Sequence, residues 1–322
     1  MSWRGLAVGV MVVGIAGTAT VSAQRPPMRQ HRATASRPIV TVPADREPPA
    51  AARVTITVEA NERVITANDI PDHKVGRFPN RGNPHTIEEQ TWVVRLPLSP
   101  TANDTPRMLH DPDRRGPPLP FGIGVNGVIF DPGTAEFWMG DREKGWNYDA
   151  LGGAVPLGLD ANHAHVQPGG IYHYHGLPTG LLSRLGVESV SGDRATHSPI
   201  VGWAADGFPI YCIYGYADPR DPNTPVKRLA SGYRLKQGER PGGDSGPGGR
   251  YDGAFVQDYE YQAGEGDLDA CNGRHCVTPE YPAGTYAYFL TAEWPVIPRG
   301  FRGTPVNIHG AGRGPRGRPP RR

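Results

Sequence analysis

Residues 163–175 read His-Ala-His-Val-Gln-Pro-Gly-Gly-Ile-Tyr-His-Tyr-His, and this stretch indicates both the fold and the site. Proline and two glycines at positions 168–170 form a strong turn signal between two short alternating runs. On a β-strand, residues i and i+2 project from the same face. The stretch therefore predicts a β-hairpin that brings two histidine pairs onto one surface. The pairs are His163 with His165 and His173 with His175.

The composition of the whole chain agrees with short strands. Glycine (43) and proline (35) make up about a quarter of the 322 residues and are spread throughout. This excludes a helix bundle, a coiled coil or a doubly wound parallel sheet. Further strand-like runs lie at 54–58, 63–66, 92–96, 124–130, 199–204, 209–214, 255–261 and 285–291. We expect a loop-rich, antiparallel all-β fold, a β-sandwich or jelly roll, with little helix beyond a short segment at 179–186.

The N-terminus predicts export. Arg4 is the only charge before an apolar run at 5–16, and Val-Ser-Ala at 21–23 fits a cleavage site. Residues 1–23 therefore read as a signal peptide, with an uncleaved anchor as the alternative, and no other stretch is apolar enough to cross a bilayer. The mature protein is expected in the periplasm or outside the cell.

The remainder divides into three parts. Residues 24–52 are proline-rich and aperiodic, which predicts a disordered basic linker, and residues 53–309 form one β-rich domain. Residues 310–322 predict a disordered Arg/Gly/Pro tail. Segment 299–322 carries seven arginines and no acid, whereas the body at 54–298 is acidic. The tail is expected to be solvated or to make a weak contact with an anionic envelope surface, and nucleic acid is not expected as a partner.

The histidine pairs predict a metal site. Neutral imidazole suits copper or zinc and needs no thiolate beside it. The predicted ligands are His163, His165, His173, His175, His197 and Asp206. Of these, His197 and Asp206 lie outside the hairpin, where they would complete the coordination sphere or orient a ligand ring. The tyrosines that alternate with the ligands, Tyr172 and Tyr174, are expected to pack into the core.

A binding module is the alternative function. In that interpretation the histidines are structural, and aromatic side chains form a platform for a glycan, peptide or small molecule. The candidate platform residues are Trp138, Trp146, Trp203, Tyr211 and Tyr214. A metal buffer or chaperone would share the histidine site. Because the sequence identifies no general base, it leaves open whether the protein is an enzyme and names no catalytic residue.

Three cysteines predict one disulfide in an oxidising compartment. Cys271 and Cys276 lie close together in Cys-Asn-Gly-Arg-His-Cys, and Cys212 lies far upstream. Spacing allows either Cys271–Cys276 or Cys212–Cys271, so the pairing stays open.

Several blocks of the chain resemble one family. Gly-Ile-Tyr-His-Tyr-His-Gly at 170–176 resembles the motif after which the YHYH domain proteins are named. Asn-Gly-Val at 126–128 and the blocks at 197–211, 269–274 and 278–288 are similar to others of that family, so the resemblance covers about residues 120–305. It implies an exported protein and no established activity. It also implies cysteines where this chain has Asn162 and Gly300, so no family disulfide is carried over.

Overall fold

The computed structural model describes residues 31–110, 119–187 and 196–308, and these ranges are mostly strand and loop. The strands are β1 (Val54–Glu59), β2 (Glu62–Ala67), β3 (Trp92–Pro97), β4 (Arg107–Met108), β5 (Gly122–Gly124), β6 (Ile129–Phe130), β7 (Ala164–Gln167), β8 (Ile171–Tyr174), β9 (Ile200–Ala204), β10 (Pro209–Cys212), β11 (Tyr214–Tyr216), β12 (Val226–Arg228), β13 (Tyr233–Leu235), β14 (Tyr259–Tyr261), β15 (Gly273–Cys276), β16 (Thr285–Leu290) and β17 (Gly300–Phe301). The predicted all-β class is confirmed.

Helix is scarce in the same ranges. It comprises α1 (Thr179–Arg184), where the sequence predicts a short helix, and 3₁₀ turns at Arg142–Lys144, Gly243–Ser245 and Val256–Asp258. Across the described part of the chain, no helix has the length and apolar character needed to traverse a bilayer. The expected signal peptide and arginine tail lie outside the described residues.

An eight-stranded sheet forms the centre, in the order β15-β16-β10-β9-β5-β6-β8-β7. Five of its neighbouring pairs are antiparallel, and two, β10 with β16 and β6 with β8, are parallel. The sheet is therefore mixed rather than purely antiparallel as expected. β6 and β8 can pair in parallel because β7 lies between them in sequence and runs antiparallel to β8. The β7–β8 hairpin consequently lies at one end of the sheet.

The core is rich in tyrosine, which compensates for the low hydrophobic content of the chain. Its largest fully buried side chains are seven tyrosines and five phenylalanines. Buried hydroxyls need hydrogen-bond partners, and they have them. Tyr211 donates to Thr278 at 2.8 Å, and Tyr288 donates to Asp206 at 2.5 Å. The interior is therefore fixed by directed hydrogen bonds as well as by apolar packing.

A separate three-stranded sheet has the order β1-β2-β3. β1 pairs with β2 in antiparallel register from Val54↔Ala67 to Glu59↔Glu62, without a bulge. The two strands are joined by a two-residue turn at positions 60–61, in which Ala60 takes a φ of 50°. A positive φ at this position is what a two-residue hairpin requires.

The segment expected to be a disordered linker lies along the body over residues 31–52. Isolated bridges join His31 to Trp138 and Val42 to Asp160. The Arg37 amide also donates to the carbonyl of Gly152 at 3.0 Å. The structure thus differs from the sequence-based expectation. An aperiodic, proline-rich composition does not reveal hydrogen bonds to positions one hundred residues away.

The expected disulfide is wrong. All three cysteines are buried thiols and none is cross-linked. Most of the short loop predicted between Cys271 and Cys276 is instead strand β15, which runs antiparallel to β16 and ends at Cys276. Its extended backbone carries Cys276 away from Cys271, whereas a disulfide needs Cβ atoms about 4 Å from each other.

Candidate metal centre

The predicted hairpin forms and positions three histidines. β7 and β8 are antiparallel, with His165 directly opposite His173. His175 directly follows β8 and lies two residues after His173, so the two side chains are on the same face. Both are almost fully buried, with exposed fractions of 3% for His173 and 1% for His175.

The three rings converge through their Nε2 atoms. Nε2 of His175 lies 3.0 Å from Nε2 of His173 and 3.1 Å from Nε2 of His165. One nitrogen from each ring falls within 4.8 Å of the others. In a tetrahedral site with metal–nitrogen bonds of about 2.05 Å, two ligand nitrogens lie roughly 3.3 Å apart. The separations therefore suit chelation of one ion.

Backbone carbonyls orient two of the rings from behind. The Nδ1–H of His165 donates to the carbonyl of Leu157 at 2.9 Å, and that of His173 donates to the carbonyl of Ile171 at 3.3 Å. A proton on Nδ1 leaves a lone pair on Nε2 of a neutral ring. Nδ1 of His175 has no hydrogen-bond partner of ordinary geometry, although it faces the carbonyl of Pro132.

Burial favours the neutral form of His165 and His175. It lowers the pKa of His165, and it lowers the pKa of His175 well below the ordinary 6.5, with further contributions from His173 and His165. The neutral imidazole is the form that binds a metal. The cluster is therefore ready to act as a ligand set near neutral pH.

The opposite face of β8 carries a second hydrogen-bond network. Tyr172 donates to Asp160 at 2.7 Å, and Tyr174 donates to Nε2 of His73 at 2.6 Å. Both tyrosines are fully buried, as expected for core packing. Asp160 also accepts from the amide of Gly76 at 2.9 Å. This network fixes the strand from behind while its other face presents the imidazoles.

Three of the predicted ligands lie outside the cluster. His163 precedes β7 with a φ of 52°, and its Nδ1 donates to the carbonyl of Leu177 at 2.9 Å. This left-handed backbone breaks the strand alternation that would have aligned it with His165. His197 packs against Tyr211 and Tyr216, with ring centroids 4.9 and 5.0 Å away.

Asp206 also lies elsewhere. Its carboxylate accepts from Tyr288 at 2.5 Å and from the amide of Gly303 at 2.8 Å. Strand order explains why it and His197 are distant from the cluster. They flank β9, which follows β8 in sequence, but β6 and β5 lie between β8 and β9 in the sheet. Three strand spacings amount to roughly 14 Å.

Of the five residues expected to form an aromatic platform, four are buried and Trp138 is half-buried. The exposed fraction is 8% for Trp146 and Trp203, 0% for Tyr211 and 1% for Tyr214. Trp203, Tyr211 and Tyr214 lie in or beside the central sheet, and Trp146 packs in a smaller cluster with Tyr148 and Phe255. These side chains form the core rather than a surface that could bind a glycan.

Sequence reasoning missed a buried ion pair beside the histidines. Arg299, 3% exposed, donates to Asp149 at 2.9 Å and to the carbonyl of Pro132 at 2.7 Å, which is the carbonyl that faces His175. Its charge contributes to the lowered pKa of His175. Nearby, burial raises the pKa of Asp131 to about 6. The isolated segments Asp-Pro-Gly and Ile-Pro-Arg carry no signal that would have linked them to the hairpin.

Comparison with known protein families gives a match that includes the histidine cluster. The sequence model of the family described as "YHYH protein" matches residues 93–303, which is more than half of the chain and includes the hairpin with all three histidines. No curated protein and no solved structure matches the chain significantly. On the strength of the family match, this chain belongs to the YHYH protein family.

Proposed function

We propose that this chain is an exported metal-binding protein whose ion, copper or zinc, is held by Nε2 of His165, His173 and His175. One observation carries the proposal. One nitrogen of each ring lies within 4.8 Å of the others, and backbone carbonyls accept the Nδ1 protons of His165 and His173.

A structural role for the histidines fits this arrangement poorly. His165 and His173 carry their protons on Nδ1, so their Nε2 atoms can only accept a hydrogen bond. A proton on Nε2 of His175 could be donated to one of these two atoms, and the other would stay without a donor. A second proton in the cluster is disfavoured because burial lowers the pKa of His165 and His175. A metal cation accepts all three lone pairs at once.

The donor set favours copper or zinc. All three donors are imidazole nitrogens, and among the described residues no fourth histidine, cysteine or carboxylate joins the group. Three protein ligands with a position left for water or substrate is the arrangement of many catalytic zinc sites. When bound, such an ion supplies Lewis acidity or lowers the pKa of a water molecule. A metal buffer or chaperone would use the same site.

Elemental analysis tests the proposal. The protein is purified from the periplasm without an affinity tag or chelator, beside a His173→Ala/His175→Ala double variant and a His163→Ala control. His163 is the matched control because it lies at the base of the same hairpin but directs its ring to Leu177. We expect one ion per chain in the parent and in the control, and none in the double variant, with circular dichroism showing that all three fold.

The opposite result is equally clear. If the parent contains no metal even after reconstitution with copper and with zinc, the metal-binding function is wrong and the histidines are structural.

Export is tested in the same preparation. Sequencing the N-terminus of the periplasmic protein should give Gln24 as the first residue, whereas an intact Met1 would contradict cleavage.

A further inference from the structure

Strand β1 has an outer edge to which no other strand is paired within the described ranges. It is the first strand of the sheet β1-β2-β3, and all six of its residues are exposed. Three of the exposed large hydrophobic residues lie on it, with exposed fractions of 38% for Val54, 38% for Ile56 and 65% for Val58. An open, apolar edge of this kind is a template for pairing with another strand.

The usual features that block such an edge are missing from β1. Its sequence, Val-Thr-Ile-Thr-Val-Glu, contains no lysine and no proline. Its pairing with β2 runs through six residues without a bulge that would twist the edge away. Natural edge strands are commonly protected by one of these features. The edge of β1 is therefore regular enough to accept a partner.

The backbone register shows which peptide groups face outward. The amide of Arg53 donates to Oδ1 of Asn68 at 2.8 Å, and the carbonyl of Arg53 accepts from the amide of Asn68 at 3.1 Å. Both peptide groups of Arg53 therefore face β2. Because peptide groups alternate in direction along a strand, Thr55, Thr57 and Glu59 also face β2. The groups that face away from the sheet belong to Val54, Ile56 and Val58.

We infer that β1 is a homodimer interface, in which β1 of a second copy pairs antiparallel to it about a twofold axis at Ile56. In this register each outward-facing residue meets another, Ile56 with Ile56 and Val54 with Val58, as hydrogen-bonded antiparallel pairs require. The three apolar side chains of each copy then lie against those of the other.

Charge complementarity supports a second copy as the occupant. The same register places Arg53, one residue before β1, opposite Glu59 of the second copy, and the twofold axis repeats this pair. Within one chain Arg53 already pairs with Glu89 at 2.8 Å, and Glu59 pairs with Arg95 at 2.9 Å. Dimerisation would therefore join these pairs into a row of alternating charges. One strand pair buries less than the roughly 1,600 Å² of a standard interface, so we expect a reversible dimer.

Sedimentation velocity over a concentration series tests this inference. The mature chain is compared with Ile56→Lys, which places two lysines opposite each other on the axis, and with Val93→Lys as the control. Val93 has the same 38% exposure and lies in the same sheet, on β3. We expect a concentration-dependent dimer, weakened about tenfold or more by Ile56→Lys and unchanged by Val93→Lys.

A second variant tests the backbone hydrogen bonds. Ile56→Pro removes an amide that faces away from β2, which an edge strand tolerates, so the variant should fold and stay monomeric. A parent chain that is monomeric at every concentration overturns the inference. The same result is expected if residues outside the described ranges cover the edge of β1. An Ile56→Lys variant that dimerises as strongly as the parent overturns the inference as well.

Discussion

Replacing Gly300 by cysteine should create a disulfide with Cys271. Gly300 lies in β17 with no left-handed φ, so a side chain there meets no backbone strain. A Cβ built at this position lies 3.1 Å from Sγ of Cys271. In a disulfide with an S–S bond of about 2.04 Å, each Cβ lies roughly 3 Å from the partner sulfur. The position is therefore within bonding range of Cys271.

The expected gain follows from the loop that the bond closes. A loop of about 30 residues, from 271 to 300, removes roughly 3.6 kcal/mol of chain entropy from the unfolded state at 25 °C. Against this, the new Cβ would lie 2.8 Å from Sδ of Met108, so that side chain must move. Methionine is flexible and adapts at a cost of about 1 kcal/mol. We expect a net stabilisation of about 2–3 kcal/mol and a rise in Tm of roughly 5 °C.

Thiol titration and calorimetry measure this outcome. Burial raises the pKa of Cys271 to about 12, so the bond should form during folding, before the thiol is enclosed. Denatured Gly300→Cys protein should then show two titratable thiols, against three in the parent, and lose its extra Tm under reducing conditions. Gly300→Ala is the matched control, since it adds the same Cβ without sulfur. Four titratable thiols, or a Tm that does not respond to reduction, would refute the geometry.

Three further outcomes are expected. Burial lowers the pKa of His110 to about 4, whereas in the unfolded chain this residue binds its proton near 6.5. The contribution of neutral His110 to the free energy of unfolding is therefore complete above pH 6.5, and up to about 3 kcal/mol of it is lost as the pH falls toward 4. Urea unfolding at neutral pH and at about pH 4.5 should show this loss, and His110→Gln should reduce it. Tyr174→Phe removes hydrogen bonds to His73 at 2.6 Å and Asn126 at 3.0 Å and should cost about 2 kcal/mol in urea unfolding without changing metal content; lost metal would contradict the separation of the two faces. Deleting residues 310–322 removes five arginines and should weaken salt-dependent binding to anionic vesicles; unchanged binding would exclude the tail as an anchor.

The part of the site that the sequence predicts is the part made by local rules. The turn at 168–170 and strand alternation bring His165 opposite His173 and direct Tyr172 into the core, and the structure confirms this. The prediction for His163 is wrong in its geometry because one residue with a positive φ turns the ring away. Alternation assumes regular backbone and cannot anticipate that break.

The rest depends on strand order, which hydrophobic patterns do not encode. His197 follows the hairpin closely in sequence, but β5 and β6, which come earlier in the chain, separate the two in the sheet. Arg299 shows the converse, since it reaches Pro132 across more than 160 residues. Likewise, the pattern of residues 271–276 predicts a tight loop, but pairing with β16 makes most of it a strand.

The carbonyls behind His165 and His173 have a thermodynamic consequence for the affinity of the proposed metal site. A ligand set that is ordered before the ion arrives loses little conformational entropy on binding. Holding two otherwise mobile side chains in place is worth about 2 kcal/mol, or roughly thirtyfold in affinity. In this chain that preorganisation resides in the backbone at Leu157 and Ile171, so substitutions that leave every imidazole intact but loosen these carbonyls would still weaken binding.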